Sequence, residues 1–409
     1  MAQRDEYEHI EMDSETEHDV ENYEDSETEV EGAVEEDYKE SETSAAETRR
    51  GKDIQGIPWH TMNITRQKYR ENRIKRYDSH RDVPQSEMGM IQLYKTCKKI
   101  QKGGNFYVFQ NNTRSVKPTY AHIQLRNLVW ATSKHDVYLS SDYSIIYWSA
   151  LSRKGTEVLD VVGHIVASEF HQEAAIDGFR VVDITSMAAK DDLLVVGGYE
   201  GELICKYLGI EDVSYCSKIT ENGSSTNSIE IYQCPGGATR LLTSSNDCGV
   251  RVFDLSDRFA RMHHFYFPWP VNHASVSPDN KLFLVVGDNV EGFLSDCQTG
   301  KNVATLQGHM DYSFASAWHP NGRVFATGNQ DTTCRLWDIR NTSTSLEVLK
   351  GNMGAIRSIR FSSDGQFMAM AEQADFVHIY DAKNMSNKST YGSLLEYNRR
   401  HDFFHLDSI

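Results

Sequence analysis

No run of eighteen consecutive apolar residues occurs in this chain of 409 residues, so no membrane-spanning helix is expected. The opening, MAQRDEYEHIEMDSETEHD, lacks both a basic flank and an apolar stretch, which argues against a secretory leader. The Asn63-Ile64-Thr65 and Asn222-Gly223-Ser224 triplets are therefore read as chance matches to a glycosylation pattern. Cysteine is present but never paired: the seven, at 97, 205, 216, 234, 248, 297 and 334, stand at least eleven positions apart. Zinc sites and redox motifs need thiols roughly two to four residues apart, so neither is expected. Scattered thiols fit a reducing compartment, the nucleus or cytoplasm. Also missing are a phosphate-cradling glycine loop, a metal-ligand spacing and a nucleophile motif. No cofactor, no metal and no enzymatic activity are expected.

Basic residues are scarce at one end only. Residues 1–47 hold 20 Asp and Glu against Arg4 and Lys39, whereas residues 48–103 hold 14 Lys and Arg against 5 acids. The net charge of −17 therefore describes chiefly a tail. Residues 1–50 are too polar to bury enough apolar surface against chain entropy and are expected to be disordered. Within them Ser-Glu-Thr-Glu occurs at 14–17 and again at 26–29. A hydroxyl followed at the third position by an acid, as in Ser14 with Glu17 and Ser26 with Glu29, suits acid-directed kinases. A solvating tail with no specific partner is the plainer reading.

Residues 51–103 form a basic segment. Gly56 and Pro58 break any early helix, and Thr65 is placed to cap one over about 66–77. Six basic residues between Arg66 and Arg76 make that helix cationic. It can pair with acid inside the chain, bind an acidic partner or touch nucleic acid, or simply be a solvated linker.

From residue 104 to 409 the sequence changes to short β-branched and aromatic runs divided by Gly, Asn, Asp and Ser, the pattern of strands joined by tight turns. Phe253-Asp254, Ser295-Asp296, Trp337-Asp338 and Tyr380-Asp381 close successive units, with Asp-to-Asp steps of 42, 42 and 43. Two looser units end near Trp148 and Tyr207, separated by an insertion around residues 167–178. A period near 40–45 with four strands per unit predicts an all-β propeller. Six units are countable, and the 28 residues beyond Asp381 suffice only for part of a seventh. The strand-like FYVFQ, 106–110, is expected to pair with residues 391–397 and close the ring in part.

Residues 308–340, GHMDYSFASAWHPNGRVFATGNQDTTCRLWDIR, resemble a nearly complete WD repeat, with Gly308-His309 opening it and Trp337-Asp338 closing it. The resemblance implies that His309, Thr327, Asp331 and Trp337 form a buried hydrogen-bonded tetrad with a structural purpose. The same residue types would suit a catalytic triad, but no exposed nucleophile or oxyanion site accompanies them. Other units keep the pattern in part: Asp247 and Thr243 stand six and ten before Phe253, and Asp142 six before Trp148. Gly163-His164 opens a unit that lacks the tryptophan. The segment GKDIQGIPW…TRQKYRENRIKRY is similar to a hallmark of an uncharacterised group of plant and fungal WD-repeat proteins.

A propeller's rigid faces and side wall suit holding partners, so an interaction scaffold whose partners are other proteins is expected, with no membrane partner and with nucleic acid disfavoured by the acidic propeller. Two alternatives stay open. Residues 325–340, ending Trp337-Asp338-Ile339-Arg340, resemble a sixteen-residue box through which some WD-repeat proteins engage a cullin-RING ubiquitin-ligase adaptor. Arg340, with Asp338, is then the candidate partner-binding residue, its planar guanidinium free to meet a carboxylate. The basic segment supports the other alternative, a chromatin- or RNA-associated complex subunit.

Overall fold

The computed structural model describes residues 42–54, 56–77, 81–98, 101–104, 108–119, 127–166, 178–373, 376–383 and 390–396, with only the backbone at 101–104 and 390–396. Ser14, Glu17, Ser26 and Glu29 lie outside the described residues, as does the His164 side chain. The chain divides into two compact units, Met1–Asn63 with Phe109–Ser115, and Ile64–Val108 with Val116–Ile409.

In the first unit, Glu42–Ser44 pairs antiparallel with Asn111–Thr113. Helix α1, Ala45–Arg49, follows at once. Ser44 caps it: the hydroxyl accepts the Glu47 N–H, and Glu47 Oε2 accepts the Ser44 N–H at 2.7 Å. Residues 42–50, which composition assigned to a disordered tail, are thus a strand and a capped helical turn. Asp53 explains the GKDIQGIPW segment: its carboxylate accepts the Ile57 N–H at 3.0 Å and the Trp59 indole N–H at 2.7 Å. Gly56 is required at φ +87°, where a Cβ would stand 2.6 Å from Thr43 Oγ1.

The second unit contains six blades of four antiparallel strands, one for each unit counted in the sequence. Their third strands are Ser144–Ser149, Glu202–Tyr207, Gly249–Asp254, Gly292–Asp296, Thr333–Asp338 and Phe376–Asp381. The unit is a β-propeller. Thr390–Glu396 lies in the stretch expected to supply only part of a seventh unit; it is the outer strand of blade six. The strand added beside it is Gln101–Gly104, which pairs with it in parallel; Phe106 and Tyr107 of the expected FYVFQ strand lie outside the described residues. Val108 to Gln110 have no strand structure.

The inner strands share one device. In blades two to six the register slips by one residue, at Thr185, Asn227, Asn272, Phe314 and Arg357. Such a bulge turns its residue out of the ladder and re-aims the side chain. Three of the five then bond the first carbonyl of the next inner strand: Thr185 to Thr226 at 2.6 Å, Asn227 to Val271 at 2.9 Å, Asn272 to Ser313 at 3.2 Å. Phe314 has no donor to continue the series. Instead it lies under the Arg357 guanidinium, 3.6 Å from ring centre to carbon.

Apolar side chains fill the space between blades. Between five and six these are Ala315, Ala326 and Leu336 against Ile359, Met368, Met370 and Tyr380. Arg360, on the inner strand of blade six, reaches Asn127 Oδ1 at 3.3 Å and stacks on Trp130 of blade one.

Helix α2, Arg66–Arg76, starts where expected, with the Thr65 hydroxyl accepting the Lys68 N–H at 3.2 Å. Helix α3, Glu87–Thr96, is capped by Ser86 and buries Met90 and Leu93.

Candidate functional site

Blade five brings His309, Thr327, Asp331 and Trp337 together. Thr327 lies on the second strand, Val324–Asn329, and Trp337 on the third, so period-two alternation puts both side chains on the blade face next to the loop that carries His309. The indole N–H of Trp337 donates to Thr327 Oγ1 at 2.9 Å, and that hydroxyl meets His309 Nε2 at 2.9 Å. His309 Nδ1 stands 3.0 Å from Asp331 Oδ2. Asp331 also accepts the Met310 N–H at 3.0 Å, the Thr333 N–H at 2.9 Å and the Thr333 hydroxyl at 2.6 Å. Burial pushes the Asp331 carboxyl up, but the His309 ring and these donors outweigh it and hold the group below the usual carboxylate range. All four residues are buried. Gly308 adopts φ +132°, and a Cβ there would press within 2.8 Å of Arg335 Nη1.

The Thr327 hydroxyl thus accepts from the indole and contacts the imidazole, buried within the blade.

Arg340 departs from expectation. It is 62% exposed, yet its Nε and Nη2 donate to the two oxygens of Asp338 at 3.0 and 2.7 Å. Arg323 Nε donates to the same carboxylate at 3.1 Å. The guanidinium expected to be free for a partner is clamped by the residue two positions before it. Spacing alone missed this, because an Asp-x-Arg at a strand end lets the side chain fold back on its own corner.

Sequence reasoning also overlooked how residues 81–98 lie across the loops and outer strand of blade five. The Asp82 N–H donates to Asp311 Oδ2 at 3.2 Å, and Gln85 Nε2 donates to the Met310 carbonyl. The Tyr94 hydroxyl meets Thr332 Oγ1 at 3.3 Å, and the Lys350 ammonium sits 3.4 Å above the Tyr94 ring. Lys98 bonds the Val348 carbonyl at 2.8 Å through its N–H and Glu347 at 2.7 Å through its ammonium. Thr332 itself has φ +67°, a left-handed conformation that a β-branched residue rarely adopts. Such strain collects at clamps and contact sites.

Under this strap sits Arg357. Its Nη2 donates to Gln330 Oε1 at 3.1 Å, while Nε and Nη1 are sealed from solvent with no hydrogen-bond partner among the described residues. Burial pulls the guanidinium down to about 10, opposed by Tyr77, Asp82 and Asp311. Asp311 is pushed up by burial, and the neighbouring Asp82 charge adds to the rise.

A family model described as "WD domain, G-beta repeat" matches residues 300–338, the span that ends on Trp337-Asp338. An uncharacterized protein of Schizosaccharomyces pombe is 28% identical over 171 residues, covering 38% of this chain and 49% of the yeast protein. Eukaryotic translation initiation factor 3 subunit I of Anopheles gambiae is 30% identical over 169 residues, covering 37% of this chain and 50% of the mosquito one. The chain thus spans about half the length of these relatives. Among solved structures, a chain of "Crystal Structure of Mitotic Checkpoint Complex" superposes with a TM-score of 0.56 at 12% identity, over 69% of this chain and 80% of that one. Repeat period, blade architecture and tetrad define a WD-repeat propeller. The chain belongs to the WD-repeat family.

Proposed function

We propose that this protein is a non-enzymatic scaffold, a subunit that holds other proteins within a nuclear or cytoplasmic assembly. The observation that carries the reading is the saturation of the tetrad. The constellation His309, Thr327, Asp331 and Trp337, whose residue types would suit catalysis, has its polar atoms engaged with one another inside blade five. What the propeller offers outward is rigid loops, which suit recognition. Support also comes from the mosquito relative, named as a subunit of a larger factor. No helix among the described residues is long and apolar enough to cross a membrane.

The test is native size fractionation of the tagged chain at endogenous level, followed by cross-linking and mass spectrometry of the peak. Elution far above the chain's own 46.6 kDa with partners in fixed ratio is expected. Elution at the monomer mass would reject the scaffold. The same peak decides the alternatives. RNA-binding proteins or histones favour the chromatin or RNA subunit, which the cationic α2 supports. A propeller adaptor and cullin favour the ligase receptor, and that reading requires Arg340 to leave Asp338.

A further inference from the structure

Residues 81–98 are attached by contacts that are individually weak. Among the described contacts they rest, apart from the buried Met90 and Leu93, on single hydrogen bonds and one partly exposed ion pair, Lys98 with Glu347. Ordering the segment costs backbone entropy that so few contacts offset only narrowly. Such a segment opens at a free energy far below that of the propeller.

What it covers is incompletely served. Arg357 presents a guanidinium with Phe314 closing one face and Gln330 holding one amino group, a preset planar receptor. Asp82 stands near enough to favour the charge, but neither it nor Asp311 bonds Nε or Nη1. A carboxylate that reached Nη1 would gain a charge-assisted bond that the strap does not make.

We infer that the loops of blade five, beside Arg357 of blade six, form a docking groove for a carboxylate-bearing segment of a partner protein, with Arg357 as its anchor. In the free chain residues 81–98 fill that groove as a displaceable internal ligand, Asp82 standing in the partner carboxylate's place. The inference rests on the scaffold reading, but its test does not, since it needs only this protein and a peptide of its own sequence.

The probe is a fluorescein-labelled synthetic peptide of residues 81–98, titrated by anisotropy with the full-length chain. In the wild type the internal copy competes. A chain carrying Gln85→Ala and Tyr94→Phe should therefore bind the peptide at least about ten-fold more tightly. Asp82→Asn in the peptide should weaken that binding about ten-fold, and Arg357→Gln in the protein should abolish the difference between the two peptides. Absence of binding to the weakened chain, equal binding to both chains, or indifference to Asp82→Asn would each overturn the inference. Should Arg357→Gln lose the native circular-dichroism melt, hydrogen exchange of the wild type decides. Amides of α3 exchanging at least about a hundred-fold faster than those of Val324–Asn329 support displacement, and matched rates overturn it.

Discussion

Blade three and blade five hold the same two polar residues at the same distances from the aromatic that ends the third strand, and use them differently. In blade five Thr327 and Asp331 are joined by His309 and capped by Trp337. In blade three Thr243 and Asp247 precede Phe253, which has no N–H to give, and no Gly-His opens the unit. Asp247 turns to Arg251, bonding Nη1 at 3.1 Å as well as Nη2, while Ser245 Oγ accepts from Nη1 at 2.8 Å. Thr243 Oγ1 is buried with no hydrogen-bond partner among the described residues. Blade six uses yet another arrangement. There Glu372 accepts the N–H groups of Asn352, Met353 and Gly354 at 2.6, 2.7 and 2.8 Å and faces His378 at 2.5 Å. What blades three, five and six share is a carboxylate that fixes the loop, not the set of residues around it.

The largest effect is expected where that carboxylate neutralises a fully buried cation. The Arg251 side chain is 0% exposed and Asp247 9%. Asp247→Ala leaves the guanidinium without its counter-charge, and removing one partner of a buried pair costs about 3–5 kcal/mol. Replacing both with apolar residues of similar volume, Asp247→Leu with Arg251→Met, should recover most of the loss. Urea denaturation of the three proteins measures this. A single variant within 1 kcal/mol of wild type would show that the pair is dispensable.

A matched pair of smaller changes sharpens the contrast. Thr327 pairs across its ladder with Arg335 and Thr243 with Arg251, so the two hydroxyls occupy one register position in different blades. Thr327→Val keeps the shape but strands the Trp337 N–H and one His309 nitrogen, an expected cost of about 2–3 kcal/mol. Thr243→Val removes a hydroxyl that bonds nothing among the described residues and should stay within about 0.5 kcal/mol, or stabilise. Equal midpoint shifts for the two would mean that the tetrad adds nothing beyond shape.

The same contrast shows what the sequence could and could not reveal. The blade count and blade five's tetrad were legible because a fixed geometry imposes fixed spacings, six and ten residues before an aromatic. Arg251 was not, although a signal existed. An Asp at the tetrad position with no histidine upstream needs some other cation, and Arg251 lies between Val250 and Val252 in a buried strand. The Gln101–Gly104 strand was illegible for another reason. QKGG has no alternating pattern, and it joins the sheet through backbone bonds that any sequence can make. Residues 81–98 were read as part of a basic linker, because two buried side chains, Met90 and Leu93, give too thin an apolar stripe to announce a docked helix.

The smallest effect is expected at the outer corner of blade five. Asp338 there is held by Arg323 and Arg340, whereas its counterpart in blade three, Asp254, accepts only the Ser256 N–H at 2.9 Å among the described contacts. Both guanidiniums are more than half exposed, at 51% and 62%, so solvent screens their charge and each pair contributes little. Arg340→Ala should change stability by no more than about 0.5 kcal/mol, since Arg323 remains on the carboxylate. That makes it a clean probe of recognition. If the corner binds the ligase adaptor, the substitution must weaken co-precipitation while the melting midpoint stays fixed, because release from Asp338 is the only change required of Arg340. Unchanged recovery of every partner, with a midpoint within 1 °C, would assign the Arg323–Asp338–Arg340 cluster to the blade's own corner.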